Sequence, residues 1–173
     1  MKRWWIGVVV AAALPACSQP SGSGNGRAEV RAVGPTSVQI VPASGQLPYC
    51  LVFTASERKV IRQLTMPPDR QALPCPAGQP IGGLTYRIPA AEGKVRIYVL
   101  FSDQPVKADP IAAQVYEVAS TGRLVTAMDL RVPGKVQVEA LEFTPSAGDV
   151  AEAVQGDAVT RDAGAEEAGA QAP

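Results

Sequence analysis

Histidine is missing from this 173-residue sequence, and aromatic residues make up only 5% of it. Without histidine the chain has no Ser-His-Asp or Cys-His catalytic arrangement, no histidine-ligated metal and no ordinary general base near pH 7. The few aromatic residues are poor material for a surface on which sugar rings stack, and we assign them to the sheet or core: Tyr49, Tyr86, Tyr98 and Phe101. We therefore expect no enzyme, no metal site and no cofactor.

Neither positive nor negative charge is in excess, because 16 Lys and Arg residues balance 16 Asp and Glu residues. Removal of Lys2 and Arg3 with a leader would leave 14 basic against 16 acidic residues, a net charge of −2. A nucleic-acid-binding protein needs a clustered basic surface. We therefore expect no nucleic-acid partner.

The nearest approach to a catalytic motif is Ser56 three residues before Lys59, the S-x-x-K spacing of penicillin-binding proteins and serine β-lactamases. The S-D-N and K-T-G elements that complete those sites are missing, and the segment falls where a hairpin turn is needed. We interpret it as a solvated turn. Spacing alone does not exclude a glycosidase-like carboxylate pair, but turns, a helix cap and a solvated helix face account for the candidates Glu92, Asp103, Asp109 and Glu117.

The N-terminus has the layout of a secretory signal peptide. Lys2 and Arg3 precede an uncharged stretch, residues 4–14. These 11 residues would form a helix of roughly 16 Å, whereas the hydrocarbon core of a bilayer is roughly 30 Å thick. The stretch is therefore too short to span a membrane.

The sequence Leu14-Pro15-Ala16-Cys17 that follows resembles the lipobox of bacterial lipoproteins. The resemblance implies a signal peptide over residues 1–16 and a mature N-terminus at Cys17 that carries acyl chains such as palmitate. Ser18, in place of Asp, resembles the signal for the outer rather than the inner membrane. The alternative is an ordinary signal peptide cut near Ala16, with Cys17 left as a free thiol.

Export to an oxidising compartment makes a disulfide between the remaining cysteines, Cys50 and Cys75, the expected state. A metal site built on two thiolates would need companions, but the chain has no histidine and neither cysteine belongs to a CxxC pair.

Strand patterns separated by prolines and turns predict a mainly β domain over residues 28–144, a β-sandwich or barrel-like sheet with one short helix. The run 47–54 is apolar on both faces, as in a strand covered on both sides. In the segment 94–101 we place Val95, Ile97, Val99 and Phe101 on one face and Lys94, Arg96 and Tyr98 on the other. The helix is predicted to have Asp109 as its N-cap and to stop at Gly122.

The apolar face of the segment 135–144 switches midway, and we explain the switch by a β-bulge near Ala140. Residues 17–27 form a lipidated Gly/Ser linker that should be flexible. The segment 145–173 has few large apolar residues and should be a disordered acidic tail. Its acids are Asp149, Glu152, Asp157, Asp162, Glu166 and Glu167.

The stretch from Tyr49 to Pro105 resembles an extracytoplasmic β domain family of unknown function, found in surface lipoproteins and appended to kinases and caspase-like peptidases. The likeness rests on two strands (49–53 and 60–64), a Tyr86-Arg87-Ile88-Pro89 element and Gly93 opening the next strand. It implies a β accessory domain and carries no activity with it.

We expect an outer-membrane-anchored lipoprotein that acts as a non-enzymatic protein-interaction or envelope structural module. Its partners would be membrane lipid, through acylated Cys17, and an envelope protein that docks on exposed strand edges. Two alternatives stay open. One is a binding module for cell-wall or surface glycan, and the other is a hydrolase built on carboxylates or on Ser56 and Lys59.

Overall fold

A computed structural model describes residues 26–147. The predicted signal peptide, the lipidation site Cys17, most of the linker and nearly all of the acidic tail lie outside the described residues. Within them, no helix is both long enough and apolar enough to cross a bilayer.

The described chain is mainly β, as predicted. Its strands are β1 (Ala28–Gly34), β2 (Ser37–Pro42), β3 (Tyr49–Ser56), β4 (Ile61–Gln63), β5 (Leu73–Pro74), β6 (Tyr86–Arg87), β7 (Val95–Ser102) and β8 (Val136–Phe143). The α-helix α1 is Ala108–Ser120, and 3-10 helices lie at Ile81–Gly83, Ala90–Glu92 and Ala127–Asp129.

The strands form two antiparallel sheets. The smaller sheet has the order β1-β2-β6. The larger has the order β4-β3-β7-β8, and β5 also pairs with β3. Since β4 and β5 pair with opposite ends of β3, they follow one another along the same edge.

The space between the two sheets is filled by one hydrophobic core. Alternate residues of β3 and β7 point into it, among them Cys50, Val52, Ile97 and Val99. From the smaller sheet and its neighbouring turns come Val38, Ile40, Ile81, Tyr86 and Ile88.

A second core covers the opposite face of the larger sheet. It contains the other residues of β3 and β7, namely Leu51, Phe53, Tyr98 and Leu100, all at most 1% exposed. On these residues α1 packs Ala108, Ile111 and Val115, whose spacing of three and four places them on one helix face. The molecule therefore has three layers, with the larger sheet in the middle.

The prediction for β7 was correct. Val95, Ile97, Val99 and Phe101 lie on the face toward the smaller sheet, and Tyr98 lies on the other face. Tyr98 is buried as well, because α1 covers this second face, whereas Arg96 lies near the start of the strand and is only partly buried.

The predicted bulge near Ala140 is wrong. Each residue of β8 pairs in continuous register with β7, from Val136 opposite Ser102 to Phe143 opposite Val95. The apolar residues switch from one face to the other because each face of β8 packs into a different hydrophobic core. Val136 and Val138 pack in the helix-side core, whereas Leu141 and Phe143 pack in the core between the sheets.

The helix was predicted correctly, but not its N-cap. The N-cap is Lys107 rather than Asp109, and α1 starts at Ala108 with Asp109 in its first turn, where a carboxylate complements the helix dipole. At the other end Thr121 is the C-cap, and Gly122 follows with φ of 81°, as the predicted stop requires.

The long outer strands β1 and β8 lie side by side without pairing within residues 26–147. Near the start of β1, Arg27 Nη1 lies 3.9 Å from Glu139 Oε2. Beyond its end, the Ser146 N–H donates to the Pro35 carbonyl at 2.9 Å. The two strands thus run in the same direction and cover each other's edges, which makes this side of the sandwich barrel-like.

The predicted disulfide between Cys50 and Cys75 is present, with the two Cα atoms 5.8 Å apart. It ties β3 to the loop that follows β5, and both cysteines are buried in the core between the sheets. The loop it closes is long, since the two residues are 25 positions apart.

Replacing both cysteines, as Cys50→Ala with Cys75→Ala, should lower the free energy of unfolding by about 3 kcal/mol, because the unfolded chain regains the entropy of the open loop. Urea unfolding followed by circular dichroism measures this change, and the oxidised wild-type protein is the control. An unchanged midpoint in the double variant, or two reactive thiols in the unreduced wild-type protein, would contradict the assignment.

Candidate functional site

A polar cleft of about 300 Å³ opens at the end of the larger sheet where β3 and β8 end and β7 begins. The cleft has three walls. The turn after β3 forms the first wall. The start of β7 forms the second together with Glu142 of β8, and the C-terminal end of α1 forms the third. Its charged side chains are Glu57, Lys59, Lys94, Arg96 and Glu142. We take this cleft, called here the basic cleft, as the candidate site.

Strand pairing brings three of these charges together. Arg96 of β7 lies opposite Glu142 of β8. Glu142 Oε2 lies 2.6 Å from Lys94 Nζ, and its Oε1 lies 3.7 Å from Arg96 Nη2. The hydrogen bond from Lys94, and then the charges of Lys94 and Arg96, hold the pKa of Glu142 below its usual value.

The turn that forms the first wall is held by three hydrogen bonds. The Ser56 N–H donates to the Val60 carbonyl at 2.9 Å, and the Lys59 N–H donates to the Ser56 carbonyl at 2.9 Å. The Val60 N–H donates to Ser56 Oγ at 3.0 Å. Lys59 has φ of 61°, the left-handed conformation that closes the turn.

Ser56 and Lys59 thus lie in a turn, as predicted, but they do not contact each other through their side chains. Ser56 is 8% exposed, and its hydroxyl oxygen accepts the hydrogen bond from the Val60 N–H within the turn. The Lys59 side chain is exposed and makes no hydrogen bond or ion pair with residues 26–147. This geometry leaves Lys59 available to a ligand and gives Ser56 a structural role.

The C-terminal end of α1 lines the same cleft as the cationic side chains. The C-terminal turn of α1 has no basic residue of its own, and its partial negative charge points at the cleft. There the Val118 carbonyl accepts from Thr121 Oγ1 at 2.7 Å, and the Ala119 carbonyl accepts from the Gly122 N–H at 2.9 Å. Lysine and arginine side chains from the sheet supply the favourable positive charge.

Glu57 is the second carboxylate of the cleft. Its Oε2 accepts a hydrogen bond from the Lys94 N–H at 3.4 Å. Three cationic side chains therefore line the cleft with two carboxylates, and Lys94 and Arg96 share one of these, Glu142. The arrangement can bind a polar, acidic group by ion pairing and hydrogen bonding.

The carboxylates considered for glycosidase chemistry each have a separate structural setting. Glu92 is 4% exposed, and its Oε1 lies 2.6 Å from Arg62 Nη2. Asp109 Oδ2 lies 3.1 Å from Arg70 Nη1. Glu117 is exposed on α1, and Asp103 packs over Gly134. The burial of Glu92 was not predicted, because its partner Arg62 lies 30 positions away in the sequence.

The four aromatic residues assigned to the sheet or core are buried or half-buried, as predicted. Tyr86, Tyr98 and Phe101 are buried and Tyr49 is half-buried. Burial raises the pKa of Tyr86 to about 12, and its hydroxyl donates to the Ile81 carbonyl at 3.1 Å. Tyr116 is the large aromatic side chain that is exposed within the described range.

A second groove, of about 440 Å³, lies beside β1 near Gly26. Its charged residues are Glu29 and Arg31, which pair with each other. It offers no convergent set of charges. The described part of the chain also holds no group of three or more Cys, Asp or Glu side chains that could bind a metal ion.

No protein-family model, curated protein or solved structure matches this chain. The likeness of residues 49–105 to an extracytoplasmic β family and the lipobox assignment of Cys17 therefore stay predictions.

Sequence reasoning assigned Lys94 and Arg96 to a strand face but did not find the cleft. The missing information was the register that places Glu142 beside them and the position of the helix end. The charged turn 56–59 was the one sequence signal that pointed to this region.

Stability should depend on pH through Glu142. Because its pKa is lowered in the folded state, the stabilising contribution is full above the ordinary glutamate pKa of about 4.3 and is lost as the pH falls through the folded value. Carboxyl carbon NMR titration should show the pKa of Glu142 below the ordinary glutamate value of about 4.3. In Lys94→Met the Glu142 pKa should move back toward the ordinary value. A wild-type Glu142 pKa at the ordinary glutamate value would contradict the ion-pair geometry.

Proposed function

We propose that this protein is an outer-membrane lipoprotein, anchored through acylated Cys17, that binds an envelope protein through the basic cleft without catalysing a reaction. The observation that carries the proposal is the convergence of Lys59, Lys94 and Arg96 on one open cleft. Such a surface fits an acidic segment of a partner protein.

The charge arrangement supports an acidic partner. Lys59 makes no ion pair within residues 26–147, and Arg96 is 3.7 Å from a carboxylate that Lys94 already engages at 2.6 Å. An incoming carboxylate would therefore meet cations whose charge is only partly balanced. Such contacts steer association and set specificity more than they add affinity.

The strand edges of the described fold favour docking of the partner in the cleft over docking by strand addition. The two long edges, β1 and β8, lie beside each other without pairing within the described residues. The remaining edges are β4, β5 and β6, with three, two and two residues. Edges this short present few backbone groups to a partner strand.

The start of the described chain and the cleft lie on different sides of the larger sheet. Residue 27, where the predicted linker ends, contacts Glu139, which faces the smaller sheet. Glu142 is three residues further along β8 and so faces the helix side, where the cleft opens. A domain held by its N-terminus can thus present the cleft away from the tether.

Site-specific photocrosslinking in intact cells of the native host tests the proposal. A photoreactive residue at Thr121, on the rim of the cleft, should give a discrete protein adduct. The same residue at Met128, which is 92% exposed and does not line the cleft, should not. The charge reversal Lys59→Glu should remove the adduct while changing stability by less than about 0.5 kcal/mol, since Lys59 is exposed.

Labelled palmitate, added to the same cells, tests the anchor. Wild-type protein should carry the label, and Cys17→Ser should carry none and lose or weaken the adduct. Equal label in both chains would contradict the lipid assignment. No adduct at Thr121, or equal adducts at Thr121 and Met128, would contradict the docking surface.

A further inference from the structure

The zero net charge of the chain conceals two oppositely charged parts. Residues 26–147 contain 13 basic and 10 acidic residues, a net charge of +3. Residues 148–173 contain six acids and one base, Arg161, a net charge of −5. The strongest negative charge in the sequence thus belongs to the segment that follows the β domain.

The last described residues lie at the end of the larger sheet where the basic cleft opens. Strand β8 ends at Phe143, next to Glu142 in the cleft wall. The Ser146 N–H is fixed to the Pro35 carbonyl, and the described chain ends at residue 147. Asp149 and Glu152 are therefore only seven and ten residues beyond Glu142.

The length of the segment allows it to reach any part of the cleft. An extended chain advances about 3.3 Å per residue. Counted from Ser146, which is fixed to Pro35, the six residues to Glu152 can span about 20 Å and the 21 residues to Glu167 about 70 Å. A short connection also gives a tethered group an effective concentration in the millimolar range, so weak individual ion pairs suffice.

We propose that the acidic segment 149–167 of this same chain occupies the basic cleft and competes with an external acidic partner. Carboxylates of the segment pair with Lys59 and Arg96, the two cleft cations that Glu142 engages less closely than Lys94. The contact is electrostatic between exposed groups, so it weakens as salt shortens the screening length from about 8 Å at 0.15 M to about 3 Å at 1 M. The competing role rests on the proposed function, whereas the occupancy of the cleft does not.

The test uses the chain from residue 17 to 173 with Cys17→Ser, labelled with ¹⁵N. It is compared with a chain of equal length in which six amides replace the acids: Asp149→Asn, Glu152→Gln, Asp157→Asn, Asp162→Asn, Glu166→Gln and Glu167→Gln. At low salt the backbone amide shifts of Lys59, Lys94 and Thr121 should differ between the two chains. In 1 M NaCl the difference should vanish. The amide of Met128, outside the cleft, is the internal control.

Identical cleft shifts in the two chains at low salt would overturn the proposal, as would differences that persist in 1 M NaCl. Differences that grow with protein concentration would also overturn it, because the segment of a second copy would then be the occupant. The charge reversal Lys59→Glu should abolish the difference in a chain that keeps the wild-type dispersion of its core amides.

Crosslinking at Thr121 in cells separates this inference from the proposed function. If both hold, the six-amide chain should give more partner adduct than the wild type. A partner adduct without tail-dependent shifts would leave the proposed function standing and overturn the inference. Tail-dependent shifts without any adduct would support the inference and contradict the proposed function.

Discussion

The antiparallel pair of β3 and β7 is the structural element on which the rest of the molecule depends. The two strands pair over eight residues, from Tyr49 opposite Ser102 to Ser56 opposite Val95. Both faces of the pair are buried: one against the three-stranded sheet and the other against α1. Each core therefore has the same central wall. A cavity in this wall, as in Leu100→Ala, would cost about 2–5 kcal/mol and would loosen the helix layer directly.

The same pair also builds the basic cleft. The turn that follows β3 and the start of β7 lie at one end of the wall, with the end of β8 beside them. Lys94 precedes β7, Arg96 lies within it, and Glu142 reaches them from β8. These groups project beyond the hydrophobic cover that α1 provides. Arg96 itself belongs to β7, in which all the other residues are buried, so its backbone is held between the two cores.

Much of the fold could be predicted from residue patterns, because β3 is apolar on both faces and Cys50 and Cys75 were the two cysteines left to pair. The features that were missed depend on non-local placement. The apolar face of β8 switches because one strand serves two cores, and a local pattern cannot separate this from a bulge. The N-cap moved from Asp109 to Lys107, a one- to two-residue uncertainty common at helix ends. Prediction of the cleft would have required the register of β7 with β8, and no single segment of the sequence specifies that register.

Native-state hydrogen exchange tests the central claim, that the β3–β7 pair is the wall shared by both cores. The amides of Val52, Phe53, Tyr98 and Val99 should exchange only through global unfolding, with opening free energies equal to that from urea denaturation. The amides of α1, β1 and β2 should open with equal or smaller free energies. If the β3 and β7 amides exchanged through openings that left either outer layer protected, the account would be contradicted.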